Sequence, residues 1–168
     1  EFALRGFYAA ELTVPRLAQM EPIFTRLLGF EKAREAPSLD NPNQKVTIYA
    51  MDGGGPGKEL HVLELAGRQG FLGRGGVHHV AFRLRDDQEQ QAWLQQLNSS
   101  GVPNSGLVDR YYFKSLYFRI SRGILFELAT DGPGFASDEP LASLGERLAL
   151  PPFLEPRRQE IEANLKPV

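Results

Sequence analysis

The sequence predicts an α+β chain built from two similar strand–helix–strand modules, followed by a helical arm. Three observations predict it. Apolar spacing changes from period two to about 3.6 and back, and does so twice in the same order. The stretch "GFYAAELTV" at 6–14 matches "GVHHVAFRL" at 76–84, and "IYAM…HVLEL" matches "LYFR…ILFEL". Past residue 130 both periods stop, and Pro, Gly and charge take over. Order shared at both ends of each unit is the signature of an internal repeat. The expected modules span 6–66 and 75–130, with the arm at 131–168.

In the first module "GFYAAELTV" reads as a strand. In "PRLAQMEPIFTRLLGF" the residues Leu17, Met20, Phe24, Leu27 and Leu28 fall on one helical face. Pro22 predicts an interrupted or late-starting helix, and Gly29 fits a C-cap. "KVTIYAM" and "ELHVLEL" read as strands joined through the turn "DGGGPGK". After the glycine-rich link 67–76, "GVHHVAFRL" is a strand. "DDQEQQAWLQQLNSSG" is a helix with Asp86 or Asp87 near its N-cap and Trp93, Leu94 and Leu97 on its buried side. "SLYFRIS" and "GILFELA" are strands around an "SRG" turn. In the arm, Pro-rich punctuation leads to a charged helix from about Pro156 to Leu165.

Composition narrows the function classes. The chain has 168 residues, 42% hydrophobic and 24% charged. A chain of this size buries roughly two-thirds of its unfolded surface and needs no staples. It contains no cysteine, which excludes disulfides, thiolate nucleophiles and cysteine metal sites. Any metal must be held by His, Asp, Glu or Tyr. Net charge is −2 with scattered lysines and arginines, so no nucleic-acid groove or polybasic anchor is expected. No apolar run approaches the roughly 20 residues of a membrane span, and no leader is visible. The expected location is cytoplasmic.

The chain has three histidines, two of them adjacent. Strand side chains alternate faces, so His79, Ala81 and Arg83 share one face and His78, Val80 and Phe82 the other. Leu125, Glu127 and Ala129 likewise share a face. A carboxylate among apolar neighbours is costly to bury without a partner. One His and one Glu on neighbouring strands begin a nitrogen- and oxygen-liganded divalent site. The pattern equally admits a hydrogen-bonded strand histidine and a solvated edge carboxylate. His78 and His61 read as structural. In the repeat register Ala9 corresponds to His79, and Glu64 to Glu127.

"GGVHHVAFR", "DRYYFKSLYFR", "GILFELATDGPGF" and "LGERLALPPFLEPRRQEIEANL" together resemble the C-terminal half of ring-cleaving, hydroquinone-type extradiol dioxygenases of the glyoxalase/vicinal-oxygen-chelate superfamily. The resemblance implies paired βαβββ modules curling around a non-haem metal. Fe(II) is expected, with Mn(II), Zn(II) or Ni(II) as alternatives and no organic cofactor. It implies an aromatic diol and dioxygen as reactants. His79 and Glu127 match two metal ligands, Tyr117 a tyrosine over the substrate, and Arg110 an arginine holding a substrate oxygen. On the residues alone, Arg110 equally reads as a turn-exposed charge and Tyr117 as a cross-strand packing aromatic.

The implied triad needs a further histidine, and Ala9 cannot supply it. Two ligands of three are therefore expected here. The rest would come from an N-terminal half or from a second copy, whose Glu64 is a possible third ligand in a homodimer. Two other readings use the same fold: a glyoxalase-like Zn, Ni or Mn enzyme, and a metal-free small-molecule-binding module of the drug-sequestering, bleomycin-resistance kind.

Overall fold

The computed structural model describes residues 3–67, 73–74, 76–120 and 123–166. The link residues 68–72 and 75, and Ser121 and Arg122 of the "SRG" turn, lie outside them. The first module runs β1 (Ala9–Val14), α1 (Leu17–Pro22), β2 (Glu31–Pro37), β3 (Lys45–Ala50) and β4 (Glu59–Glu64). The second runs β5 (Val80–Leu84), α2 (Asp87–Ser99), β6 (Asn104–Asp109), β7 (Lys114–Ile120) and β8 (Ile124–Thr130). This is the α+β fold of two βαβββ units. The sheets have the orders β1-β4-β3-β2 and β5-β8-β7-β6. In each, the first strand lies parallel to the last, and the other pairs are antiparallel.

Two strands escaped the residue-level reading. β2 ("EKAREAP") is exposed along almost its whole length and carries no alternation. β6 contains Gly106 and a register irregularity. Both are edge strands, where one side of the ladder is open and the side chains are free to be polar.

α1 begins without a side-chain cap from its own N-cap residue, Arg16. Glu64, at the end of β4, accepts from the Leu17 N–H at 2.6 Å instead. Pro22 has no N–H to donate. Instead of breaking there, the helix continues as a wide turn over Ile23–Leu27, closed by Leu28 N–H to the Ile23 carbonyl at 3.0 Å. α2 is capped locally: Asp86 is extended, and its side chain accepts from the Glu89 N–H at 2.8 Å. The Glu89 carboxylate in turn accepts from the Arg85 N–H, so the first turn is acidic, as a helix N-terminus favours.

One core joins the modules. Phe24, Tyr49 and Leu60 from the first pack in the same cluster as Leu97, Phe118 and Phe126 from the second. Phe30 meets Phe82 edge-on at 5.9 Å, and Gln96 Nε2 donates to the Leu27 carbonyl. The arm follows β8 through short 3-10 turns to α3 (Arg158–Asn164). The predicted charged helix therefore splits into a 3-10 turn at Glu155–Arg157 and an α-helical part. Arg158 ties the two by bonding both Glu155 and Glu162.

The repeat register needs correction. Val14 pairs with Glu64 and Leu84 with Thr130, so Glu64 is the counterpart of Thr130. His61, paired with Ile48, takes the place of Glu127, paired with Tyr117. A slip by an odd number of residues reverses every side chain's face. Glu64 therefore lies on the helix face, with Leu60 and Val62.

The caps yield a prediction. Asp86→Ala should lower stability by about 1 kcal/mol, and Glu64→Ala by a similar amount despite Glu64 being far from Leu17 in sequence. Urea unfolding midpoints check both, and an unchanged midpoint in Glu64→Ala sinks the long-range cap.

Candidate metal and substrate site

His79 immediately precedes β5, and Glu127 lies in the middle of β8, the strand beside it. In register Glu127 faces Ala81 on one side and Tyr117 on the other. Its side of the sheet is opposite to Phe126 and Leu128, which fill the core. Glu127 is 2% exposed. His79 Nε2 stands 2.8 Å from Glu127 Oε2. The other oxygen, Oε1, accepts from the Ser115 hydroxyl at 2.5 Å. Ser115 is fully buried.

Tyr117 shares the face of Ser115, two residues earlier on β7. Its ring meets that of His79 edge-on at 6.3 Å. Burial raises the phenol above its ordinary value; the neighbouring Glu127 adds to this, while Ser115 and the Arg110 charge oppose it. Tyr117, Glu127 and His79 thus stand together on one face, with the Arg110 charge near enough to be felt by the phenol. Tyr117 is a proton-bearing donor throughout the neutral range.

The loop that carries Arg110 is clamped by the start of the arm. Arg110 N–H closes a turn on the Phe113 carbonyl at 2.9 Å. Tyr111 sits at φ 72°, a conformation strained for a bulky residue. Tyr112 stacks on Phe135 with ring centres 5.3 Å apart. Its hydroxyl donates to Asp138 at 2.9 Å, and burial together with that carboxylate pushes the phenol up to about 12.

The donors fit a divalent ion as far as they go. An imidazole nitrogen and a carboxylate oxygen side by side suit a first-row metal. Among the described residues no group of three or more His, Asp or Glu converges. His78 Nδ1 lies 3.0 Å from His79 Nδ1, so one proton lies between those two nitrogens. If His79 Nε2–H donates to Glu127, its Nδ1 is the acceptor and His78 donates. Glu64, expected as a possible third ligand supplied by a second copy in a homodimer, has its carboxylate engaged at the start of α1.

The first module carries a different cluster at the corresponding place. Glu59 is 5% exposed. The Arg34 fork donates to both its oxygens at 2.9–3.1 Å, His61 Nε2 lies 2.9 Å away, and the Gly55 N–H donates at 3.2 Å. Led by Arg34, these partners hold the Glu59 carboxyl down at about 2. His61 is structural in this sense, as an ion-pair neighbour. Sequence reading missed Ser115, Arg34 and Glu59. Ser115 was within reach, because it shares the parity of Tyr117.

The family model described as Glyoxalase/Bleomycin resistance protein/Dioxygenase superfamily matches residues 6–134. The chain is 47% identical to the "Putative ring-cleaving dioxygenase MhqA" of Bacillus subtilis, over all of this chain and 53% of that protein. It is 33% identical to a chlorohydroquinone/hydroquinone 1,2-dioxygenase of Sphingobium indicum, over 96% of this chain and 49% of that one. A crystal structure of a "putative dioxygenase" from Bacillus subtilis superposes with a TM-score of 0.80 at 34% identity, covering 94% of this chain and 48% of that one. The chain spans about half the length of the curated relatives it matches.

The Glu59 cluster gives a pH prediction. Its folded value lies below the ordinary 4.5, so its contribution is complete above that range and fades as pH falls toward about 2. Arg34→Ala should lower stability near neutrality, because it leaves the buried Glu59 carboxylate without its main partner. Melting curves from neutral to acid pH should show the gap between parent and variant starting to close as pH falls through the ordinary 4.5 and closed near about 2.

Proposed function

Because the chain belongs to the glyoxalase/bleomycin resistance protein/dioxygenase superfamily, we propose that it supplies the metal-holding face of a ring-cleaving dioxygenase for hydroquinone- or catechol-like diols. The observation that carries this reading is the 2.8 Å approach of His79 Nε2 to the buried Glu127 carboxylate, with Tyr117 beside them. Supporting it, relatives that resemble the whole chain are named as ring-cleaving and hydroquinone dioxygenases.

His79 and Glu127 would hold a divalent metal, Fe(II) by preference, in two adjacent positions. When bound, that metal supplies the electronic link between a diol and dioxygen. The remaining work falls to the chain's own side chains. The planar fork of Arg110 suits an anionic diol oxygen. Tyr117, kept protonated by burial, would donate a hydrogen bond to a substrate oxygen bound beside His79 and Glu127. Tyr112 and Phe135 hold the Arg110 loop in place.

The third protein donor comes from outside this chain in this reading, from another pair of modules or from a second copy. Phe7 and Val77, each two residues before the matched positions Ala9 and His79, are 93% and 79% exposed. Large apolar side chains so placed suit a contact with further modules. Among the described residues, no helix is long and apolar enough to cross a membrane.

Anaerobic titration of the chain with Fe(II) or Mn(II) tests the proposal. The expected result is weak binding that disappears in His79→Ala, with no cleavage of a hydroquinone by the chain alone. Tight, stoichiometric binding by a monomer, lost in His79→Ala, refutes the shared site. Binding indifferent to His79 refutes the site itself. The two-donor count keeps the metal-free module as the second reading; no metal uptake, with an aromatic ligand still bound, decides for it.

A further inference from the structure

Ser115 does more than fill a buried position. It is fully buried on β7, and its register partner on β8 is Ala129, two residues from Glu127. Its hydroxyl reaches diagonally and donates to Glu127 Oε1 at 2.5 Å. The second oxygen, Oε2, is the one turned to His79. The two oxygens therefore have separate tasks, divided by a side chain on another strand.

A carboxylate bound through both oxygens fills two positions of a metal ion. One bound through a single oxygen fills one. An octahedral ion with three protein donors keeps three positions open, enough for both oxygens of a diol and for dioxygen. If Glu127 took two, one reactant would lose its place. Resting on the reading of His79 and Glu127 as metal donors, we propose that Ser115 is a positioning residue that keeps Glu127 a single-oxygen ligand and so preserves an open coordination position. The hydroxyl occupies Oε1 with a charge-assisted hydrogen bond, the strong kind for a carboxylate. Residues that orient a ligand in this way typically change metal affinity by 10–100-fold when removed.

The probe is Mn(II), added anaerobically to the full chain and to Ser115→Ala and Ser115→Cys. Two quantities are read: affinity, and the metal-induced infrared difference spectrum of the Glu127 carboxylate, identified by its loss in Glu127→Gln. A wide gap between antisymmetric and symmetric stretches marks ligation through one oxygen, and a narrow gap ligation through both. The parent should show the wide gap. Ser115→Ala should show the narrow one, with affinity lowered about tenfold, and the weaker thiol donor of Ser115→Cys an intermediate spectrum. Should the alanine variant not fold, the cysteine variant makes the same comparison. A variant that folds and matches the parent in spectrum and affinity overturns the role of Ser115 while leaving the metal site standing. A parent chain that takes up no Mn(II) overturns both, and is told apart because it shows before any substitution.

Discussion

An ionised carboxylate inside a β-sheet is unstable there unless each oxygen has a donor or a cation. Glu127 sits in that situation, between strands on both sides and above a layer of phenylalanine and leucine. Everything around the site follows from satisfying it. Ser115 takes one oxygen and His79 the other. Tyr117 is the residue directly opposite in the ladder, which brings a phenol to the same spot. The stiffness of the three-strand surround leaves these groups little freedom. A ligand face built on strands is better ordered than one built on loops, and here Glu127, Ser115 and Tyr117 lie on strands, His79 just ahead of one, and Arg110 on a loop.

The two modules solve one problem in different ways. Each places a buried carboxylate and a histidine side by side on the face away from its helix. In the first module the cation is internal: the Arg34 fork neutralises Glu59 and uses up both oxygens. In the second, no arginine pairs with Glu127 among the described residues, and His79 and Ser115 take its two oxygens. The same sheet topology thus holds one face that is electrically complete and one that is not. Fold alone does not separate these outcomes; the residue at one edge-strand position does.

Much of this was legible in the chain before the structure. The duplication and α2 with its Asp86 cap follow from periodicity, because long periodic segments and alternating strands leave a clear trace, whereas the pairing of His79 with Glu127 was left open by periodicity and came from the resemblance. What failed was register. The "IYAM" and "LYFR" strings look alike, yet Tyr49 is core and bonded to Glu21, whereas Tyr117 stands on the opposite face. The β3–β4 connection is longer than that between β7 and β8, and string matching across unequal loops slips by odd steps. A slip of three residues paired Glu64 with Glu127, whose counterpart is His61. The edge β2 was invisible because a strand exposed on both faces has no period to detect, and β6 because Gly106 and adjacent Leu107 and Val108 leave no apolar alternation in its sequence. Arg34, which decides the character of the first module, lies on one of them.

The caps of the two helices also set an order on the chain's assembly. Asp86 stands next to the helix it caps, so α2 has its first turn satisfied as soon as its own residues are made. α1 is short, contains Pro22, and finds its partner only when Glu64 arrives 47 residues later. A helix that short is marginal in isolation. Closing such a loop is an entropic cost that must be met before the bond rewards it. The second module can therefore nucleate from a local element, while the first waits for its last strand to dock. Of the two modules, the one slower to set comes first along the chain, and the later one offers the earlier formed surface against which Phe30 and the end of the first helix can settle.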